Sequence, residues 1–101
     1  MVVGVCRVSL LIPQASSLKD KRQVLRKIKD RVQNQFHVSI AEVANNDLWQ
    51  RATLGISVVG NEHAHINSWL DKIINFIDQL YVAQIVSHDI EMIDFPDEES
   101  W

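Results

Sequence analysis

FHVSIAEVANNDLWQRATLGISVV, residues 36–59, decides the fold. Phe36, Val38 and Ile40 alternate with His37, Ser39 and Ala41, the period of two that marks a half-buried strand. Leu54, Ile56 and Val58 alternate with Thr53, Gly55 and Ser57 in the same way. A polar run around Asn45-Asn46 lies between them. Two consecutive strands joined by a turn predict an antiparallel hairpin.

On both sides of the hairpin the period becomes helical. Leu18, Leu25, Ile28 and Val32, flanked by Val24, form one apolar stripe, and Ile66, Trp69, Leu70, Ile73, Ile77 and Leu80 form another. Beyond the helices lie two more strands. From Val2 to Ile12 the even positions are all apolar or small, and Pro13 ends the run. Ser16 or Ser17 is then a plausible N-cap for the first helix. Gly60-Asn61 breaks the third strand, and Val82 to Ile93 supplies the fourth. The expected strands span 2–12, 36–44, 52–60 and 82–93, and the helices 18–35 and 62–80.

This order is β-α-β-β-α-β. Two right-handed crossovers put both helices on one face of a four-stranded antiparallel sheet, the α+β, ferredoxin-like fold. Its strand order is 4-1-3-2, with the first and third strands central. Residues 1–93 form one domain, and 94–101 (DFPDEESW) read as a frayed acidic tail. The sheet's other face stays uncovered, with Val3, Val5, Leu11, Ala41, Val43 and Val59 looking out. That apolar surface suits a homo-oligomer built on Val5, Ala41, Val43 and Val59.

At 101 residues with 47% hydrophobic and 23% charged side chains, the composition is that of a single globular domain. No apolar run approaches the ~20 residues of a membrane helix. The opening lacks the features of a signal peptide. A lone Cys6 excludes an internal disulfide and suits a reducing compartment, so the expected location is cytoplasmic. Charge is uneven. Residues 1–51 carry +5 and residues 52–101 carry −8, within a net charge of −3. Such polarity bears on partner choice more than on fold.

No catalytic motif is present, and the expectation is a non-enzymatic protein without a cofactor. His63 and His65 stand two apart on a helix and so do not share a face. His37 and His88 fall on different strands without ligand spacing. His88 shares the alternation of Val86, Ile90 and Met92, which reads as a partly buried histidine. Cys6 reads as a small buried hydrophobe. Arg7 is in reach of Asp89 or Glu91 on the neighbouring fourth strand, a structural pair.

The link between the second and third strands supports two readings. In the local one, Trp49 closes an end of the core while Asp47 and Gln50 fix the turn. In the other, Asp47, Trp49, Gln50 and Arg51 form a polar recognition loop with an aromatic anchor. The local reading is favoured.

The 36–59 stretch, together with LLIPQASSLKDKRQVLRKIKDR, resembles the YlxP-like bacterial family, the uncharacterised domain of unknown function 503. SLKDKR at the helix start, SIAEV in the second strand and DLWQRA-LG into the third carry the resemblance. It runs from the first strand to about Ile93, and the acidic tail lies beyond it. It implies a ferredoxin-like fold and supplies no reaction. Genes of this family often stand beside those for translation initiation factor two and ribosome-binding factor A, which implies a link to ribosome maturation.

The first helix, KDKRQVLRKIKDRVQ (19–33), holds seven of the ten basic residues. With Leu18 at 0° and 100° per residue, the apolar set falls at about 240–360°. Lys29, Arg22, Arg26 and Lys19 fall at about 20°, 40°, 80° and 100°, a row beside the buried face. A lysine- and arginine-rich helix face is most often simply solvated, and pairing with the acidic half is a second ordinary explanation. A row at this spacing also suits a phosphate backbone. The central strands carry no stacking aromatics, so sequence-specific single-strand recognition is not expected, and contact to structured RNA or to an acidic protein patch stays open. The leading expectation is an accessory factor contacting structured RNA of a ribosomal particle through Lys19, Arg22, Arg26 and Lys29. The alternative is a protein-interaction or self-assembly module that uses the open sheet face without RNA. No small-molecule substrate or membrane partner is indicated.

Overall fold

The computed structural model describes residues 1–96. Its elements are β1 (Val2–Leu11), α1 (Leu18–Phe36), β2 (Ser39–Ala44), β3 (Arg51–Gly60), α2 (His63–Asp78) and β4 (Gln84–Asp94). The sheet order is β2-β3-β1-β4 and every pairing is antiparallel. The expected ferredoxin-like architecture is therefore present, with β1 and β3 in the centre.

The even residues of β1 face the helices. Val2, Cys6, Val8 and Leu10 are buried there with Ala52, Leu54, Ile56 and Val58 of β3, whose register places them opposite. Leu25, Ile28 and Val32 of α1 and Ile66, Leu70, Ile73 and Ile77 of α2 complete the core. Gly4 is required where α2 comes closest, because a Cβ there would overlap the Ile66 Cγ2 methyl.

The boundaries differ from expectation in three places. Phe36 ends α1 instead of opening β2, and its ring packs edge-to-face on Phe76 with centroids 5.3 Å apart. His37 then takes a left-handed conformation (φ 54°) and its N–H donates to the Gln33 carbonyl, closing the helix. An alternating apolar pattern cannot reveal where such a cap falls. The second difference lies after α2, which ends at Asp78, with β4 starting only at Gln84. Third, the last strand runs through Asp94, and Phe95 N–H donates to the Met1 carbonyl at 2.8 Å. Residues 94 and 95 thus extend the sheet's hydrogen bonding, whereas the rest of the expected tail, from 97 onward, lies outside the described residues.

Candidate functional site

The start of α1 is fixed by its own sequence. Ser17 Oγ accepts from Asp20 N–H at 3.1 Å, and the Asp20 carboxylate accepts from both the Ser16 N–H and its hydroxyl. These Ser16 bonds hold the Asp20 carboxyl below the usual range, helped by the Ser17 contact and the charge of Lys19. The N-terminal turn is thereby set relative to the strand before it.

One turn in, the sequence reading needs correction. Lys21, counted among the seven basic residues of the helix, is buried, with 1% of its side chain exposed. Its Nζ donates to the carbonyls of Asn45 (2.8 Å), Asn46 (3.3 Å) and Arg51 (3.2 Å). The Glu42 Oε2 oxygen lies 2.8 Å away as an ion pair, and that oxygen has no hydrogen-bond partner. The ammonium is thus surrounded by one carboxylate oxygen and three carbonyls.

Lys21 thus ties α1 to the β2–β3 loop. Gln50 adds a second tie, since its Nε2 donates to the carbonyls of Pro13 and Ala15 and its own carbonyl accepts from Ile12 N–H. Asn45 adopts φ 63° and its Nδ2 donates to Thr53 Oγ1 at 2.9 Å. The loop's apolar side chains point out. Trp49 is 55% exposed and Leu48 47%, so Trp49 does not close the core as the local reading held. Gln50 does fix the loop, through contacts to the segment before α1. Asp47, Leu48, Trp49, Gln50 and Arg51 line an open hollow of about 530 Å³.

The cationic row runs away from this loop along α1. Lys19, Arg22 and Arg26 are exposed and Lys29 is half-buried. Among the described residues Arg22, Arg26 and Lys29 make no ion pair, and Lys19 contributes only a charge attraction to Asp20. Six exposed or half-buried cations remain on the helix once Lys21 is removed from the count. Asp20, Gln23, Val24 and Lys27 on another flank line a hollow with Gln14 and Val82. The row Lys19–Lys29 lies on the other side of the helix from that hollow.

Elsewhere, Val5, Ala41, Val43 and Val59 lie together on the sheet face away from the helices, with Val43 bulged over Gly55. Arg7 interrupts this apolar face, paired with Asp89 at 2.9 Å as the strand register anticipates. His88 faces the helix side opposite Val8 but is exposed, because β4 is an edge strand; the partly buried reading does not hold. His63 Nε2 meets Asp94 Oδ1 at 2.6 Å, and His65 packs near Trp69. Cys6 is buried, and desolvation pushes its thiol up to about 11, with Asp89 and Asp71 adding to the shift. No described helix is long and apolar enough to cross a membrane.

The signal for Lys21 was present in the sequence. At 100° per residue it falls at about 300°, in the middle of the apolar arc. A cation at the centre of a buried stripe needs oxygen ligands, and the polar loop supplies them.

Comparison with known proteins gives a consistent placement. Residues 3–90 match the family model described as "Protein of unknown function (DUF503)". The chain is 40% identical over 77 residues to the uncharacterized protein YlxP of Bacillus subtilis (strain 168), covering 76% of this chain and 84% of that one. Among solved structures, the de novo designed protein Foldit4 aligns with a TM-score of 0.50 at 12% identity, over 94% of this chain and 98% of that one. A de novo designed protein with a ferredoxin fold aligns with a TM-score of 0.48 at 17% identity, over 100% and 91% of the two chains. The likeness to Foldit4 concerns the fold alone. The family match covers most of the chain, including the Lys21 lock and the cationic row, and this protein belongs to the DUF503 family.

Proposed function

We propose that this protein is a non-enzymatic accessory factor of the cytoplasm that contacts structured RNA of a ribosomal particle through α1. One observation carries the reading: Lys19, Arg22, Arg26 and Lys29 stand in a row at helical spacing, without acidic partners to neutralise Arg22, Arg26 and Lys29 among the described residues. An internal pairing with the acidic half would be expected to show ion pairs to α2 or β4. Two arginines in the row are suited to bidentate phosphate contact. Such contacts position a protein on a helix without reading its bases.

The nucleophilic groups inside the fold support a binding role over a catalytic one. Cys6 is held protonated by burial, and the Lys21 amine is committed to three carbonyls. A test is sedimentation of the tagged protein with ribosomal subunits from cell extract, wild type beside Arg22→Glu/Arg26→Glu. Co-sedimentation of the wild type that the double variant loses supports the proposal, and absence of both proteins from the particles contradicts it.

The apolar open face favours a second reading, self-assembly. Val43 and Val59 are 57% and 58% exposed there. This face and the α1 row are on different sides of the sheet, so either contact leaves the other accessible.

A further inference from the structure

Trp49 is an exposed aromatic side chain that the core does not account for. A large aromatic ring, more than half exposed, costs solubility and gains nothing in the core. Yet the loop that carries it is tied down on both sides of the ring. Lys21, buried under the first turns of α1, grips the loop at Asn45, Asn46 and Arg51, and Gln50 grips the segment leading into α1. The chain buries a lysine to hold a loop that presents a tryptophan outward.

The same lysine fixes where that ring stands relative to the cationic row. Lys21 is adjacent in sequence to Arg22 and two residues from Lys19, so the loop is tethered at the N-terminal end of the row. The row itself extends about 15 Å from Lys19 to Lys29, at 1.5 Å per residue. Arg51, at the loop's far end, is exposed and adds a further cation beside the ring. A ring beside a cationic track would meet the side of a duplex, where bases are stacked and inaccessible. A ring at the end of the track meets the place where a duplex stops.

We propose that Trp49 stacks on the first unpaired base at the end of an RNA stem whose phosphates lie along Lys19, Arg22, Arg26 and Lys29. The ligand is a stem–single-strand junction rather than a continuous duplex. This rests on the RNA reading of α1 and narrows it. Stacking itself is tolerant of base identity, because every base offers a face to an aromatic ring. Lys21 acts as a positioning residue, holding ring and row at a fixed separation.

The test compares a blunt RNA hairpin with the same hairpin carrying a three-nucleotide single-stranded extension, by fluorescence anisotropy at one salt concentration. Stacking of one base on an aromatic side chain predicts a preference for the extended hairpin of about tenfold, within the range seen for such contacts. In Trp49→Ala the ratio of the two affinities falls to about one, and in Trp49→Phe it is largely retained. A 2-aminopurine at the first unpaired position is quenched by the wild type and not by Trp49→Ala. Trp49 is exposed, so neither substitution threatens folding, and melting curves check that directly. Equal affinity of the wild type for both hairpins, with salt-dependent binding intact, overturns the stacking proposal and leaves the α1 reading standing. A preference that survives Trp49→Ala also overturns it. Loss of co-sedimentation with ribosomal subunits in Trp49→Ala, without a change in the ratio on naked RNA, assigns the ring to a protein partner and overturns it. Failure of the wild type to bind either hairpin at low salt removes the RNA reading and the stacking proposal together.

Discussion

The Lys21 ammonium lies 2.8 Å from the Glu42 carboxylate beneath α1, with 1% and 17% of the two side chains exposed. Removing one member of a buried pair leaves the other charge without compensation, at a cost of about 3–5 kcal/mol. Lys21→Ala also strands three loop carbonyls, so it belongs at the upper end of that range. Small domains are stable by only about 5–15 kcal/mol, which makes this a large fraction of the total. Urea unfolding of Lys21→Ala should show a strongly lowered midpoint. An unchanged midpoint would mean that the loop is held without Lys21.

A smaller change at the sheet should also be felt. Gly4→Ala places a methyl group against Ile66 Cγ2 and close to Leu70 and Val58. Overpacking of this kind costs about 1–3 kcal/mol. Thermal unfolding should register it, whereas Gly55→Ala, which meets only the exposed Val43 on the open face, should cost less.

The open face gives a prediction about assembly. If Val5, Ala41, Val43 and Val59 bury one another across two copies, Val5→Glu should shift the protein to monomer in analytical ultracentrifugation. A wild type that is already monomeric at high micromolar concentration contradicts self-assembly through this surface.

Acid stability should depend on Asp20. Its folded pKa lies below the unfolded value, so the folded state favours the ionised carboxylate. The resulting stabilisation is complete above the unfolded aspartate pKa of about 3.9 and is lost as pH falls through the lower folded value. Asp20→Asn should therefore be less stable than wild type at neutral pH, with the difference shrinking below about pH 4. A gap that stays constant down to strongly acidic pH would assign the effect to something other than ionisation.

The fold was legible because period-two and helical patterns alternate cleanly along the chain; the alternation of β1 and β3 survives in their shared register, while β2 and β4 each carry a register shift, around Val43 and Val86. Phe36 continues the strand-like alternation of Val38 and Ile40, but its fate is decided by the left-handed cap at His37, which depends on backbone geometry. Trp49, set at an end of the core by the local reading, is exposed, on a loop whose backbone is tied to Lys21 and whose Gln50 reaches the segment before α1. Lys21 was grouped with its charged neighbours by sequence adjacency, although its helical angle sets it among Leu25, Ile28 and Val32. The row of Lys19, Arg22, Arg26 and half-buried Lys29 needed only that angle, and the loop's attachment to it needed the three-dimensional contacts.

The central claim, that the α1 row tracks RNA phosphates, is tested most directly by the salt dependence of binding to a ribosomal RNA fragment. Four phosphate contacts on duplex-like RNA predict a slope of log K against log salt of about −3 to −4. Arg22→Glu/Arg26→Glu should bind more weakly to RNA fragments of every sequence and show a shallower slope, with stability nearly unchanged because exposed charges contribute little to folding. No binding by the wild type at low salt, or the same affinity and slope in both proteins, would contradict the account.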